Sequence, residues 1–324
     1  MNNQNSGRSG GVRTFLRAEQ THPTELEDDI DIGILGVPYD YGASRKPGAR
    51  YGPSGVREQM VGEYHFRVNS NEDYVSFPSE TKRNYSDIKA RDCGDAPIDP
   101  KSATETTKKV SEYVEQVASK TMPIIVGGDH YITYPSFIGY ANSIEQDVGL
   151  IHLDAHTDTS DEDDLYGRHF HGSPMARIND SKYGSYNTHA MVGIRGRAGS
   201  EFLDIREQYD LYVDYAEEVK EKGIEDSIRG AIDHVTSKVD HVYLTVDIDV
   251  VDPGFAPGTG TPTFNGLTSG QLIKAMEILG NCSAIGAADM MEVAPDLDPT
   301  DTTSLLAARA LERYLQSQMS DSSK

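Results

Sequence analysis

Three groups of acidic and imidazole side chains in this 324-residue chain have spacings that could do chemistry. The tightest is Asp154, His156 and Asp158 in DAHTD. Asp247 and Asp249 in DIDVVDP repeat the alternate spacing, and His130 closes GGDH. On extended backbone, positions i, i+2 and i+4 share one side, so the DAHTD trio could point at one centre. Four carboxylates with two imidazoles suit a Mn(2+)-like ion better than zinc or copper. Six ligands exceed what one ion with an open position needs. Carboxylates shared by two ions would hold them about 3.5–4 Å apart. Bound ions make water acidic: a single zinc brings its pKa to about 7, and two ions should do comparably. Hydroxide would then be available near neutrality without a strong protein base, which is machinery for a poor electrophile. Each group alone has a plainer reading. His130 could be a satisfied polar residue at a strand end, DAHTD a turn with a capped helix start, and DIDVVDP a turn, since Asp and Pro favour turns. Their joint placement argues against those readings.

That placement follows from the elements around them. Near-continuous apolar runs at IGILGV (32–37), PIIVGG (123–128), GLIHLD (149–154), AMVGI (190–194), VYLTVD (242–247) and AIGAAD (284–289) read as strands buried on both faces. LYVD (211–214) is a weaker candidate. Helical spacing marks 101–120, 222–238, 268–280 and 302–317, the first beginning near Ser102 and the third capped by Thr268. Strands alternating with helices predict an α/β protein: a single three-layer domain, with a parallel β-sheet flanked by helices. Ligands in such sheets bind beyond the carboxyl ends of the strands. GGDH, DAHTD, DIDVVDP and DMMEVAP all lie at such ends. Residues 1–28 read as a flexible or assembly-dependent N-terminal arm, and 29–320 as the catalytic domain. The stretch 63–92 fits no pattern and reads as an irregular excursion.

Composition narrows the partners. The net charge is -22, with acidic residues scattered along the chain, which argues against nucleic acid or an anionic membrane. The excess reads first as a surface adapted to high salt, where screening removes self-repulsion. An attraction for a cationic substrate is the other reading. The two cysteines, Cys93 and Cys282, are too few for a thiolate metal site and form no close pair. The polar, glycine-rich start lacks the apolar core of a signal peptide, and no apolar run could span a membrane. A cytoplasmic protein is expected.

As a set, GGDH (127–130), DAHTD (154–158) and DIDVVDPGFAPGTGTP (247–262) resemble the ureohydrolase family of arginases and agmatinases. GVPYDYGASRKPGARYGPSGVR (36–57) and DMMEVAP (289–295) belong to the same pattern, so the resemblance runs from about residue 32 to 317. PGARYGP and GFAPGTGTP bring it closer to agmatinase-like members. The resemblance implies an arginase-like fold, two Mn(2+) per subunit and a homotrimer or homohexamer. It places His130 and Asp158 mainly on one ion, His156 and Asp249 on the other, and Asp154 and Asp247 between them. Asp158 would also orient the attacking hydroxide. Glu292 in MMEVAP would pair with the substrate guanidinium; by itself it would read as a surface acid. His171 in HGSPM would pass a proton to the leaving amine; by itself it would read as a loop histidine bonded to backbone. His169 lies two residues away but lacks the following glycine.

The implied reaction releases urea and an amine from a small cationic guanidino substrate, with agmatine, giving putrescine, as the first choice. Guanidinobutyrate, guanidinopropionate and free guanidine are the alternatives, the last with nickel. Two departures bear on that choice. Agmatinase-like sequences continue GTGTP with glutamate and a glycine pair, where this chain has Thr263 and Asn265. The loop SDEDDLYGRHFHGSPM carries acids at 161–164 that could attract the agmatine ammonium or simply belong to the acidic surface. A non-catalytic regulatory relative would be expected to lose ligands, and a one-zinc deacetylase would carry fewer carboxylates. Neither fits the complete set.

Overall fold

A computed structural model describes residues 13–62, 73–76, 80–84 and 87–318. Eleven strands are assigned among them: β1 (Glu19–Gln20), β2 (Ile32–Gly36), β3 (Asp73–Ser76), β4 (Thr81–Asn84), β5 (Ala90–Asp95), β6 (Met122–Val126), β7 (Val148–Leu153), β8 (His189–Ile194), β9 (Tyr212–Tyr215), β10 (His241–Asp247) and β11 (Ile285–Met291). Nine form one sheet in the order β1-β5-β2-β6-β11-β10-β7-β8-β9, parallel at every junction. β3 and β4 make a separate antiparallel pair.

The helices are α1 (Gly52–Gly62), α2 (Ala103–Ala118), α3 (Thr133–Ile144), α4 (Pro174–Asp180), α5 (Glu201–Gln208), α6 (Ala216–Lys222), α7 (Ile224–Thr236), α8 (Ser269–Gly280) and α9 (Thr302–Gln318). They cover both faces of the sheet. Val242, Leu244 and Val246 of β10 enter one core, with apolar side chains of α7, α8 and α9. Tyr243 of β10 enters the other, with side chains of α2 and α3. Burial of alternate residues on opposite faces explains why this strand reads as one apolar run. Helix starts follow local chemistry. The Ser102 hydroxyl accepts the Glu105 N–H ahead of α2. Thr268 and Gln271 cap α8 reciprocally.

Two sequence expectations need correction. Residues 13–26 of the expected arm are packed: Phe15 and Leu16 are fully buried, and β1 pairs with β5. The Phe15 N–H donates to Asp92, and the Arg57 guanidinium lies 4.2 Å over the Phe15 ring. Burial of each such side chain contributes about 1.5–3 kcal/mol, which offsets part of the entropy cost of ordering the segment. Residues 1–12 lie outside the described residues. The stretch 63–92 was expected to be irregular, yet its described parts hold β3, β4 and the start of β5. In β5 (ARDCGD) the polar Arg91 and Asp92 hide the strand signal, because Arg57 pairs with Asp92 and Asp95 on this strand.

Candidate metal centre and substrate pocket

The site forms at the carboxyl edge of the central strands. GGDH follows β6, DAHTD follows β7, Asp247 ends β10, and Glu292 follows β11 directly. Glycines make room for this convergence: a Cβ on Gly128 would lie 1.6 Å from the Tyr39 carbonyl oxygen. The structure brings all eight expected site residues to one region.

The residues converge by turns rather than by extended backbone. β7 ends at Leu153, and the His156 N–H then donates to Asp154 Oδ1 at 2.6 Å. Asp158 has φ +49°, a left-handed conformation that few non-glycine residues adopt. Its strain is held by the Met175 N–H donating to the Asp158 carbonyl. After β10, residues Ile248–Val250 form a 3-10 turn in which the Asp249 N–H donates to Asp247 Oδ1 at 2.7 Å. The residues singled out by the i, i+2, i+4 spacing do lie together, but turns rather than extended backbone bring them there. The carboxylates accept their own downstream amides, and that curls the chain around a centre.

One half of the site is built on His130, which is fully buried. Its Nδ1 lies 2.9 Å from Asp154 Oδ2, 2.9 Å from Asp158 Oδ2 and 3.4 Å from Asp247 Oδ2. The other half is built on His156, whose side chain is 29% exposed. Its Nδ1 lies 3.1 Å from Asp249 Oδ2 and 3.5 Å from Asp154 Oδ1. Asp154 thus presents one oxygen to each half. For Asp247 the structure shows Oδ2 toward His130, while Oδ1 is occupied by the Asp249 amide. Two groups of side chains could hold an ion: Asp154, His156 and Asp249, and His130, His152 and Asp154.

His152 is absent from the sequence expectations. It is buried in β7, two residues before Asp154, and its Nε2 lies 2.7 Å from Asp154 Oδ2. A histidine inside an otherwise apolar run was the available signal.

The donor set fits divalent ions. His130 Nδ1 is buried among carboxylate oxygens, yet makes no hydrogen bond of acceptable geometry. No lysine or arginine ion-pairs with Asp154, Asp158, Asp247 or Asp249 among the described residues. Burial and then the neighbouring carboxylate of Asp249 push the Asp247 carboxyl well above its ordinary range. A concentration of buried negative charge of this kind calls for cations.

Next to this cluster, Glu292 is 2% exposed and has φ +60°. Its Oε1 accepts the His130 N–H at 3.0 Å and faces His171 Nδ1 at 3.2 Å. Its Oε2 accepts no hydrogen bond among the described residues, and Gly260, without a side chain, faces it. His171 Nε2 lies 3.2 Å from the Ser44 amide nitrogen and 2.7 Å from the Ser44 hydroxyl oxygen, which can accept its proton when the ring is charged. Burial opposes charge on His171, but Glu292 prevails and holds its pKa up at about 9. His169 points elsewhere and pairs with the Tyr131 hydroxyl.

The chain belongs to the arginase family. The model of that family matches residues 30–316. A guanidinopropionase of Pseudomonas aeruginosa is 33% identical over 314 residues, covering 95% of this chain and 92% of that protein. The human mitochondrial guanidino acid hydrolase is 34% identical, covering 94% and 82%. The crystal structure of a hypothetical agmatinase from Burkholderia thailandensis superposes with a TM-score of 0.82 at 30% identity, covering 96% and 92%. Thr263 and Asn265 are the two positions at which the chain departs from the agmatinase-like motif. Asn265 has φ +72°, which asparagine tolerates better than most side chains. At the expected glutamate, Thr263 places its hydroxyl 3.3 Å from His156 Nε2.

Of the loop acids, Asp161 pairs with Arg168 and Arg177, and Asp163 accepts the amides of Leu165 and Tyr166. Those two are committed to holding their own loop. Arg195 is a second residue without a sequence signal: its guanidinium donates to the carbonyls of Asp249, Val250 and Thr263, tying the Asp249 turn to the 263 loop. Among the described residues, no helix is long and apolar enough to cross a membrane.

Proposed function

We propose that this site hydrolyses a guanidino compound to urea and an amine, with two Mn(2+) ions held by His130, Asp154, His156, Asp158, Asp247 and Asp249. The observation that carries the reading is the pairing of Glu292 with the His130 half of the site. One carboxylate oxygen is anchored there and the other is left open beside Gly260. A guanidinium laid against that open oxygen gains a charge-assisted hydrogen bond and has its carbon beside the carboxylate cluster. The ions, when bound, would supply the positive charge that acidifies a water and offsets charge developing on the attacked carbon. Asp158 orients that water. As a water oxygen adds to the guanidinium carbon and the carbon–nitrogen bond to the alkyl chain breaks, the water gives up a proton and the amine nitrogen gains one. His171, hydrogen-bonded through Nδ1 to Glu292, supplies it by way of water.

Agmatine is the first substrate reading. A guanidino acid is the second, and a specific observation favours it. A cleft of about 600 Å³ lies beside the loop that carries Thr263, lined by Thr157, Arg197, Tyr215, Glu217, Thr263 and Asn265 among others. Glu217 accepts from the Asn265 side-chain amide, whereas Arg197 has no hydrogen bond or ion pair among the described residues, and a cation there suits a carboxylate tail. The protein is further read as a cytoplasmic, salt-adapted homo-oligomer. The test is urea release by the Mn(2+)-loaded chain in molar KCl, comparing agmatine, arginine, guanidinobutyrate, guanidinopropionate and guanidine. Turnover confined to agmatine supports the first reading. Turnover confined to the two guanidino acids supports the second.

A further inference from the structure

Asp289 is a fully buried carboxylate that the chemistry above does not use. It lies on β11, three residues before Glu292. Strand register places Thr245 of β10 directly beside Asp289 on one flank and His152 of β7 on the other. Alternation turns Asp289 toward the same face as Tyr243 and Thr245. Three hydroxyls converge on its carboxylate. Thr245 donates to Oδ1 at 2.6 Å, and Thr133 and Tyr243 donate to Oδ2, each at 2.9 Å.

A hydroxyl has one proton. If Thr245 gives its proton to Asp289, its oxygen can only accept from its remaining neighbours. His130 Nε2 lies 3.0 Å from that oxygen. The imidazole must then carry its proton on Nε2, which leaves the Nδ1 lone pair facing Asp154 and Asp158 at 2.9 Å each. That is a repulsive arrangement unless a cation, or a second proton on the imidazole that an ion would displace, stands between them; Nδ1 is without a hydrogen bond of acceptable geometry among the described residues.

We infer that Asp289 and Thr245 are positioning residues: through the Thr245 hydroxyl they lock His130 in the tautomer that offers Nδ1 to an ion, and so set ion affinity in this half of the site. The inference rests on the ion-binding reading of the site. A ligating imidazole oriented by a partner on its other nitrogen commonly depends on that partner for a 10–100-fold share of metal affinity. Here the partner is a hydroxyl braced by a carboxylate through Oδ1, while Thr133 and Tyr243 bond the other oxygen, Oδ2.

The test is titration of the ion-free full-length chain with Mn(2+), with unbound Mn(2+) read by electron paramagnetic resonance. The parent is compared with Thr245→Val, Thr245→Ser, Asp289→Asn and Tyr243→Phe. Two ions should bind per parent chain. Thr245→Val should weaken one of the two by about 10–100-fold, and Asp289→Asn should weaken the same one. Thr245→Ser should return to within about threefold of the parent, and Tyr243→Phe, which leaves the Thr245 link intact, should do likewise. Urea release at saturating Mn(2+) should largely recover in Thr245→Val. The inference is overturned if Thr245→Val binds both ions like the parent. Equal weakening in Tyr243→Phe also overturns it, because that marks general damage to the core. If Thr245→Val does not fold, parent-like binding by Asp289→Asn overturns it instead. A parent that binds no Mn(2+) defeats the ion-site reading itself, and that outcome is visible before any variant is compared.

Discussion

The two halves of the site are built to different standards. The His130 half is sealed: its imidazole is fully buried, its far nitrogen rests on Thr245, and Thr245 rests on Asp289. The His156 half is open: its imidazole is 29% exposed, and among the described residues its far nitrogen meets only the Thr263 hydroxyl, at 3.3 Å, on a loop that lines the adjoining cleft. Strands support the first half and loops support the second. Fixed geometry belongs where charge must be preorganised. Adaptable loops belong where substrates and ions enter and where specificity is set.

The largest way to break this contrast is to remove what the halves share. Asp154 gives one oxygen to each histidine. Asp154→Asn should lower kcat/KM by on the order of 10³-fold or more, since several kcal/mol of charge stabilisation is lost. Metal analysis should find fewer than two ions per chain. Retention of two ions with near-parental rates would remove Asp154 from the centre of the account.

Glu292→Gln keeps shape and hydrogen bonding but removes the charge that meets the guanidinium. The cost of one charge-assisted hydrogen bond predicts a fall of about 10–100-fold in kcat/KM. Steady-state kinetics with full ion occupancy checks it, and an unchanged KM and kcat would exclude Glu292 from substrate binding.

The same carboxylate controls a proton. Burial works against charge on His171, while Glu292 raises its pKa to about 9. In ion-free protein, His171 should therefore stay protonated as pH rises past the ordinary histidine value of about 6.5, and release its proton near 9. Stability from this pair should be complete below about 6.5 and disappear as pH climbs through about 9. Histidine NMR titration should show the transition moving down in Glu292→Gln. An unmoved transition would break the assigned pairing.

The smallest effect is expected in the open half. Thr263→Val removes a long contact on a loop, so Mn(2+) affinity should change by no more than about threefold, against about 10–100-fold for Thr245→Val in the sealed half. Equal effects at the two positions would erase the difference between the halves.

How far the sequence reveals this molecule depends on what kind of order each part has. The strands β2, β6, β7, β8, β10 and β11 are legible because burial on both faces requires apolar runs. The helices α2, α7, α8 and α9 are legible from periodicity and caps. α1 and α3 are not: Gly52, Pro53 and Gly55 disguise the first, and the second follows GGDH so closely that it reads as part of a loop. β5 is hidden by the ion pairs of Asp92 and Asp95 with Arg57, partners 35 and 38 positions apart. The candidate ligands are legible because each motif gathers them within a few residues. Their supports are not. His152, Thr245 and Asp289 meet only through the register of three strands, and Arg195 bonds to carbonyls that any sequence would supply.

The most direct test of the central claim is stoichiometric product analysis with Mn(2+)-loaded protein offered guanidino compounds in molar KCl. One urea and one amine should form for each substrate consumed, with the rates of both falling in parallel when Glu292 or Asp154 is substituted. Two ions bound per chain with no urea from agmatine, arginine, guanidinobutyrate, guanidinopropionate or guanidine would contradict it.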